Sequence, residues 1–210
     1  MAGMDSEKIK VAVYDRKTKR SVCLNHMAAI DPAWDRAEET YLTNVCWSPD
    51  GKHIYIQLLD RSQKHMKLCM FDPNGNYIKT ILTEDNGKYV EPLDPLYFIK
   101  DRNDLFIYRT ANRDGYRNLY LCDNDGNIRR ITEVDADVKY LDNDGEYIYY
   151  TSAEVSPAEN HLFRVRISNL KKGVAKVSVG KAQRLTSEEG WHHISLSPDC
   201  RYFIDSYSSI

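Results

Sequence analysis

Four runs in this chain carry side chains that could do chemistry: Trp191-His192-His193, Glu38-Glu39, Glu188-Glu189 and Arg113-Asp114-Gly115-Tyr116. Paired histidines suit metal binding or proton transfer, and paired carboxylates can hold an ammonium group. Neighbouring residues on a strand point to opposite faces, so His192 and His193 do not readily chelate one ion together. At least one of them reads as a strand or interface histidine. Both acidic pairs read as solvated loop residues in preference to an amine clamp. Arg113 and Asp114 read as braces of a turn. No G-x-S-x-G elbow, glycine-rich phosphate loop or H-E-x-x-H occurs anywhere. The expectation is therefore no catalytic residue, no metal site and no cofactor in this chain.

Composition narrows the classes further. Twenty-nine basic and 31 acidic residues leave a net charge of −2, without a basic block, so a nucleic-acid surface is not expected. No stretch reaches the ~18 apolar residues of a membrane helix. Met1 to Asp5 shows no signal-peptide pattern and reads as a start inside a longer protein. Cys23, Cys46, Cys69, Cys122 and Cys200 are odd in number and lack CxxC spacing. Cys46, Cys69 and Cys122 lie in apolar runs, which favours reduced core thiols over a disulfide framework.

The elements that must position these residues repeat at intervals of about fifty. Leu68-Cys69-Met70-Phe71-Asp72-Pro73-Asn74-Gly75-Asn76 returns as Leu119-Tyr120-Leu121-Cys122-Asp123-Asn124-Asp125-Gly126-Asn127, and more loosely from Leu162. Each copy leads to an aliphatic residue followed by threonine: Leu82-Thr83, Ile131-Thr132 and Leu185-Thr186. Trp47-Ser48-Pro49-Asp50-Gly51 returns as Leu196-Ser197-Pro198-Asp199-Cys200. Short runs rich in Ile, Val, Tyr and Phe, divided by Asp-Gly, Asn-Gly and Ser-Pro-Asp turns, read as antiparallel strands. A unit of this length cannot bury its apolar face alone, so copies stack. The predicted fold is all-β: a β-propeller fragment of about three complete four-stranded blades plus a half-blade at each end. Its boundaries are a half-blade at 1–43, blades at about 44–83, 84–132 and 133–186, and a half-blade at 187–210. Four blade-equivalents could close a small ring, but the chain reads more as an arc of a larger one. The segment Asp31–Glu39 reads as a short helix or loop in which Trp34 anchors by packing.

The wording of these segments resembles the dipeptidyl peptidase IV family of prolyl-oligopeptidase-type serine peptidases, and its bacterial members in particular. The resemblance rests on Tyr41-Leu42-Thr43-Asn44-Val45-Cys46-Trp47-Ser48-Pro49-Asp50-Gly51, Arg61-Ser62-Gln63-Lys64, Tyr89-Val90-Glu91-Pro92 and Arg113–Tyr120. Ser156–Phe163, Gly190–Asp199 and Tyr202–Ser208 continue it, and Ala2-Gly3 ahead of Lys8 fits the same entry. Together these segments cover essentially the whole chain in order.

The resemblance implies an N-terminal eight-bladed propeller joined to a C-terminal α/β-hydrolase domain that carries the Ser, Asp and His of acyl transfer. It implies removal of Xaa-Pro and Xaa-Ala dipeptides from peptide N-termini, with the propeller shaping the substrate cavity and gating access. It also implies an exported or periplasmic parent, and peptides as substrates. The hydrolase segments are missing here, and neither acidic pair matches the family's amine-binding glutamates, so no catalytic residue carries over. This chain alone is expected to be inactive. Tyr89 and Glu91 are the candidate substrate-cavity residues; the same segment also reads as an inter-blade connection held by Pro92 and Pro95. The alternative function is a free-standing propeller used for binding or scaffolding, which a stop codon after Ile210 would mark. Unpaired half-blade edges are templates for pairing, so a homodimer through them is expected.

Overall fold

The computed structural model describes residues 8–34, 37–91 and 94–209. Met1–Asp5, Asp35, Arg36, Pro92 and Ile210, which entered the reading above, lie outside the described residues. The chain divides into two compact units, Met1–Pro95 and Leu96–Ile210.

In the first unit, β1 (Ala12–Asp15) and β2 (Arg20–Cys23) form a two-stranded hairpin. Next come β3 (Tyr41–Trp47), β4 (Ile54–Leu59), β5 (His65–Phe71) and β6 (Tyr77–Asp85), a four-stranded antiparallel meander in chain order. The β4 run Ile-Tyr-Ile-Gln-Leu-Leu is apolar on both faces because both faces are covered. Ile54, Ile56 and Leu58 join Cys69, Phe71, Leu24 and Ile30 in one core, against which Val11, Val13 and Trp34 pack. Burying each such aliphatic side chain stabilises the unit by about 1.5–3 kcal/mol. Trp34 stacks on His65 with ring centroids 6.4 Å apart, and the Lys67 ammonium lies 5.2 Å from the indole centroid. It is a packed anchor. Among the described residues of the helix-or-loop segment around it, Ala37–Glu39 form a 3-10 turn.

The second unit opens with β7 (Tyr97–Phe98), β8 (Leu105–Thr110), β9 (Asn118–Asp123) and β10 (Ile128–Arg130), again a four-stranded sheet. A further sheet contains β11 (Val138–Asn143), β12 (Tyr147–Ser152) and β13 (His161–Ser168). Its outer position is shared by two short strands, β14 (Ser178–Val179) and β15 (Gln183–Arg184), both paired to β13. The sequence suggested one strand there. Pairing nonetheless continues through the break, where the Gly180 N–H donates to the Arg166 carbonyl at 2.8 Å. β16 (Trp191–Leu196) and β17 (Phe203–Ser208) form the closing hairpin. Ile107, Leu119 and Leu121 of one sheet share a core with Ile148, Tyr150, Phe163 and Val165 of the next.

These sheets are propeller blades: three complete ones, with a two-stranded half-blade at either end of the chain. Recurrent turn chemistry explains the repeat. Ser48 Oγ donates to Asp50 at 2.7 Å and accepts the His53 N–H at 3.0 Å. Ser197 does the same with Asp199 at 2.6 Å and the Tyr202 N–H at 3.0 Å. Gly51 sits at φ +69°, and Cys200 occupies the same left-handed position at φ +56° despite its Cβ. The later turns use aspartate: Asp72 and Asp123 each accept the N–H of an asparagine four residues on, at 2.9 Å. Buried Thr132 accepts the Leu119 N–H at 2.9 Å and buried Thr186 the Leu162 N–H at 3.2 Å. That is why an aliphatic-Thr pair closes these copies.

Candidate substrate-facing loops

The connection between β4 and β5 is built on Asp60. This buried carboxylate accepts the N–H groups of Lys64 and His65, both at 2.8 Å, and that of Ser62 at 3.2 Å, and it bonds the Ser62 hydroxyl. Burial works against its charge, but the hydrogen bonds from Ser62, His65 and Lys64 outweigh it and hold its pKa below the usual 3.8. The loop after β6 is then seated on this hairpin. The Asn86 N–H donates to the Lys64 carbonyl at 2.9 Å and the Val90 N–H to the Gln63 carbonyl at 2.6 Å. Two segments that the sequence singled out, Arg61–Lys64 and Tyr89–Glu91, are thereby brought together.

Within that loop the side chains divide. Val90 is 3 % exposed and pins the segment, while Tyr89 is 51 % exposed. Glu91 is half-buried. In the same unit, fully buried Gln57 accepts from Asn44 Nδ2 at 2.5 Å and donates to the Asp94 carbonyl at 3.0 Å. Asn44 reaches it from a bulge in β3, at φ +49°. The arrangement offers an aromatic ring and a carboxyl on a rigid base. It can contact a ligand; it has no nucleophile.

The acidic pair Glu38-Glu39 is not the solvated pair expected. Glu39 is buried and lies 3.4 Å from Arg61 Nε, and Arg61 also donates to the Tyr41 hydroxyl. Glu188 and Glu189 are exposed, as read from sequence. Asp114 accepts from the Tyr120 hydroxyl and lies 3.5 Å from Arg130 Nε, so it braces its blade.

The two adjacent histidines face opposite ways: His192 is buried and His193 exposed. His192 Nδ1 meets Asp205 Oδ2 at 2.7 Å, and its Nε2 meets the Glu188 carbonyl at 2.9 Å. A histidine–carboxylate pair resembles two thirds of a hydrolytic triad, but here the nucleophile's position holds a carbonyl oxygen. The ring instead lies 5.0 Å from that of His161, itself paired to Glu159 at 2.6 Å and to Thr186 at 3.0 Å. Asn160 bonds the His192 carbonyl at 2.7 Å. This cluster joins β13 to β16. His161 and Asp205 in strands, and Glu159 in the loop before β13, escaped the sequence reading because isolated polar residues give no spacing signal. Glu154 is another: burial raises its pKa, and Ser152 offsets this only in part.

A sequence model described as the dipeptidyl peptidase IV (DPP IV) N-terminal region matches residues 1–210. The chain belongs to this family. Among solved structures, a Bacteroides ovatus protein described as a dipeptidyl aminopeptidase IV is 28 % identical, with a TM-score of 0.77. The match covers 100 % of this chain and 30 % of that one. Dipeptidyl peptidase 4 of Porphyromonas gingivalis shares the fold at 24 % identity and a TM-score of 0.77, over 99 % of this chain and 27 % of its own. This DPP IV N-terminal region thus spans less than a third of either relative's length.

Proposed function

We propose that this chain is the substrate-admitting propeller part of a serine exopeptidase that removes Xaa-Pro and Xaa-Ala dipeptides from peptide N-termini. The observation that carries this reading is the family match over the whole chain, 1–210. Acyl transfer belongs to a C-terminal α/β-hydrolase domain, and the propeller walls the cavity and limits which peptides enter. In this reading the loop carrying Tyr89 and Glu91 faces that cavity. Its support is physical: the loop is fixed by two backbone hydrogen bonds to the Asp60 hairpin, yet leaves the Tyr89 ring outside. A preformed aromatic contact costs little ordering entropy when a peptide binds.

The test is made in the full-length enzyme, with Tyr89→Ala and Glu91→Gln. Contacts made equally in the ground and transition states change KM alone. Loss of the Tyr89 contact is expected to raise KM for a peptide substrate about three- to tenfold, with kcat unchanged. Unaltered KM in both variants would make the segment an inter-blade connection only.

A further inference from the structure

The geometry points to a binding site for a small amphipathic carboxylate in the cavity between β10 and the broken outer strand β14/β15. This cavity lies between two complete blades of the second unit and has a volume of about 570 Å³, within the range of small-molecule pockets. Ile131 and Val134 supply apolar surface from one blade, Val165 and Val179 from the next. Gly180 and Ala182, at the break between β14 and β15, line it as well. Neither has a side chain long enough to cover the mouth.

Two polar groups on this lining are uncommitted. Tyr150 is 1 % exposed and its ring stacks on Phe163 at 5.4 Å, yet its hydroxyl makes no hydrogen bond among the described residues. Buried hydroxyls in native folds are nearly always bonded, so one left open on a cavity wall marks the place of a ligand atom. The second group is Arg129, which is exposed and has no ion-pair partner among the described residues. Ile131, two residues on, is in the core shared with β12 and β13, and strand alternation puts Arg129 on that same face. Arg130 is committed elsewhere, 3.5 Å from Asp114 and 3.3 Å from Glu133.

These groups define the ligand's chemistry. One unpaired guanidinium suits one carboxylate, which its fork can hold by two hydrogen bonds. A phosphate would bring a second charge, and Arg130 is already neutralised by its own carboxylates. The Tyr150 hydroxyl donates to the ligand's second polar atom, and Ile131, Val165 and Val179 take its apolar part. Glu154 acts electrostatically on Tyr150, but it is not part of the lining and burial disfavours its charged form. The site uses no residue of the terminal hairpins or of the Tyr89–Glu91 loop, so it stands independently of the peptidase reading.

The experiment titrates the full-length protein with N-acetyl-leucine, followed by ligand-observed NMR. Its blocked amine keeps this probe out of a site that requires a free peptide N-terminus. Saturable binding is expected, with a dissociation constant of about 1 mM for a ligand of this size. Arg129→Gln should raise that constant about fivefold or more, while leaving the weaker binding of the neutral N-acetyl-leucinamide unchanged. Ala182→Trp should plug the mouth and abolish binding of both probes. Tyr150→Phe should weaken binding about threefold with an unaltered urea midpoint, because the hydroxyl has no bond to lose in the free protein. Absence of saturation at ten times the expected constant would overturn the proposal. So would binding indifferent to Ala182→Trp, or an equal loss of acid and amide in Arg129→Gln. A lowered urea midpoint in Tyr150→Phe would also overturn it, by making the hydroxyl part of the fold.

Discussion

Asp60 is the residue on which the Arg61–Lys64 hairpin depends, and its environment makes a pH prediction possible. Asp60→Ala removes a buried charge with several N–H donors and should cost about 2–3 kcal/mol at neutral pH. The folded pKa of Asp60 is lowered. Its stabilisation is therefore complete above the ordinary carboxylate range and is lost as pH falls through the folded value. Urea midpoints of parent and variant should differ clearly at pH 7, and the gap should narrow as pH falls below the ordinary carboxylate value; a constant gap would contradict the assignment. Gly51→Ala offers a milder test, since a Cβ there meets nothing within 4 Å and only the left-handed φ of +69° is strained. It should cost about 1–2 kcal/mol in the same urea titration. The Ser-Pro-Asp turn was legible in sequence because its whole hydrogen-bond set is local. The Glu39–Arg61–Tyr41 cluster was not, because it is assembled across 20 or more residues of separation.

At the scale of elements, the strands and turns could be read because short apolar runs and turn residues are written in every copy. What could not be read was how neighbours lock. Gly75 shows this: a Cβ there would stand 2.6 Å from the Cys23 carbonyl oxygen, where the β1–β2 hairpin meets the β5–β6 turn. Gly75→Ala must push that hairpin away. Amide exchange over residues 12–23 should accelerate by about tenfold or more, with β4 and β8 unchanged; uniform exchange would show that the close approach is not structural. The histidine cluster makes the parallel case. His192→Ala leaves the Asp205 carboxylate without its partner and should open β16–β17 locally, at a cost of about 1.5–3 kcal/mol. Exchange over 191–208 measures it, and protection equal to the parent's would contradict a locking role. The split outer strand β14/β15 was also illegible, because Val174 and Val177 are buried in the core and pull the preceding tip inward.

For the whole molecule, the division of labour is the central point. The described residues build blades, braced turns and a fixed loop carrying Tyr89, and the His192–Asp205 pair is spent on joining strands. The propeller architecture was legible because its period and turns recur along the chain; the seating of the Tyr89–Glu91 loop on the Asp60 hairpin was not, because an irregular loop leaves no periodic trace. The isolated chain should not hydrolyse a Gly-Pro chromogenic dipeptide, and turnover that survives stringent purification would contradict this. The most direct measurement is the sequence of the gene beyond the codon for Ile210. A propeller that admits substrate to a serine exopeptidase predicts an open frame reaching a G-x-S-x-G elbow, with Asp and then His after it. A stop codon at that point would contradict the account and leave a propeller that acts by binding alone.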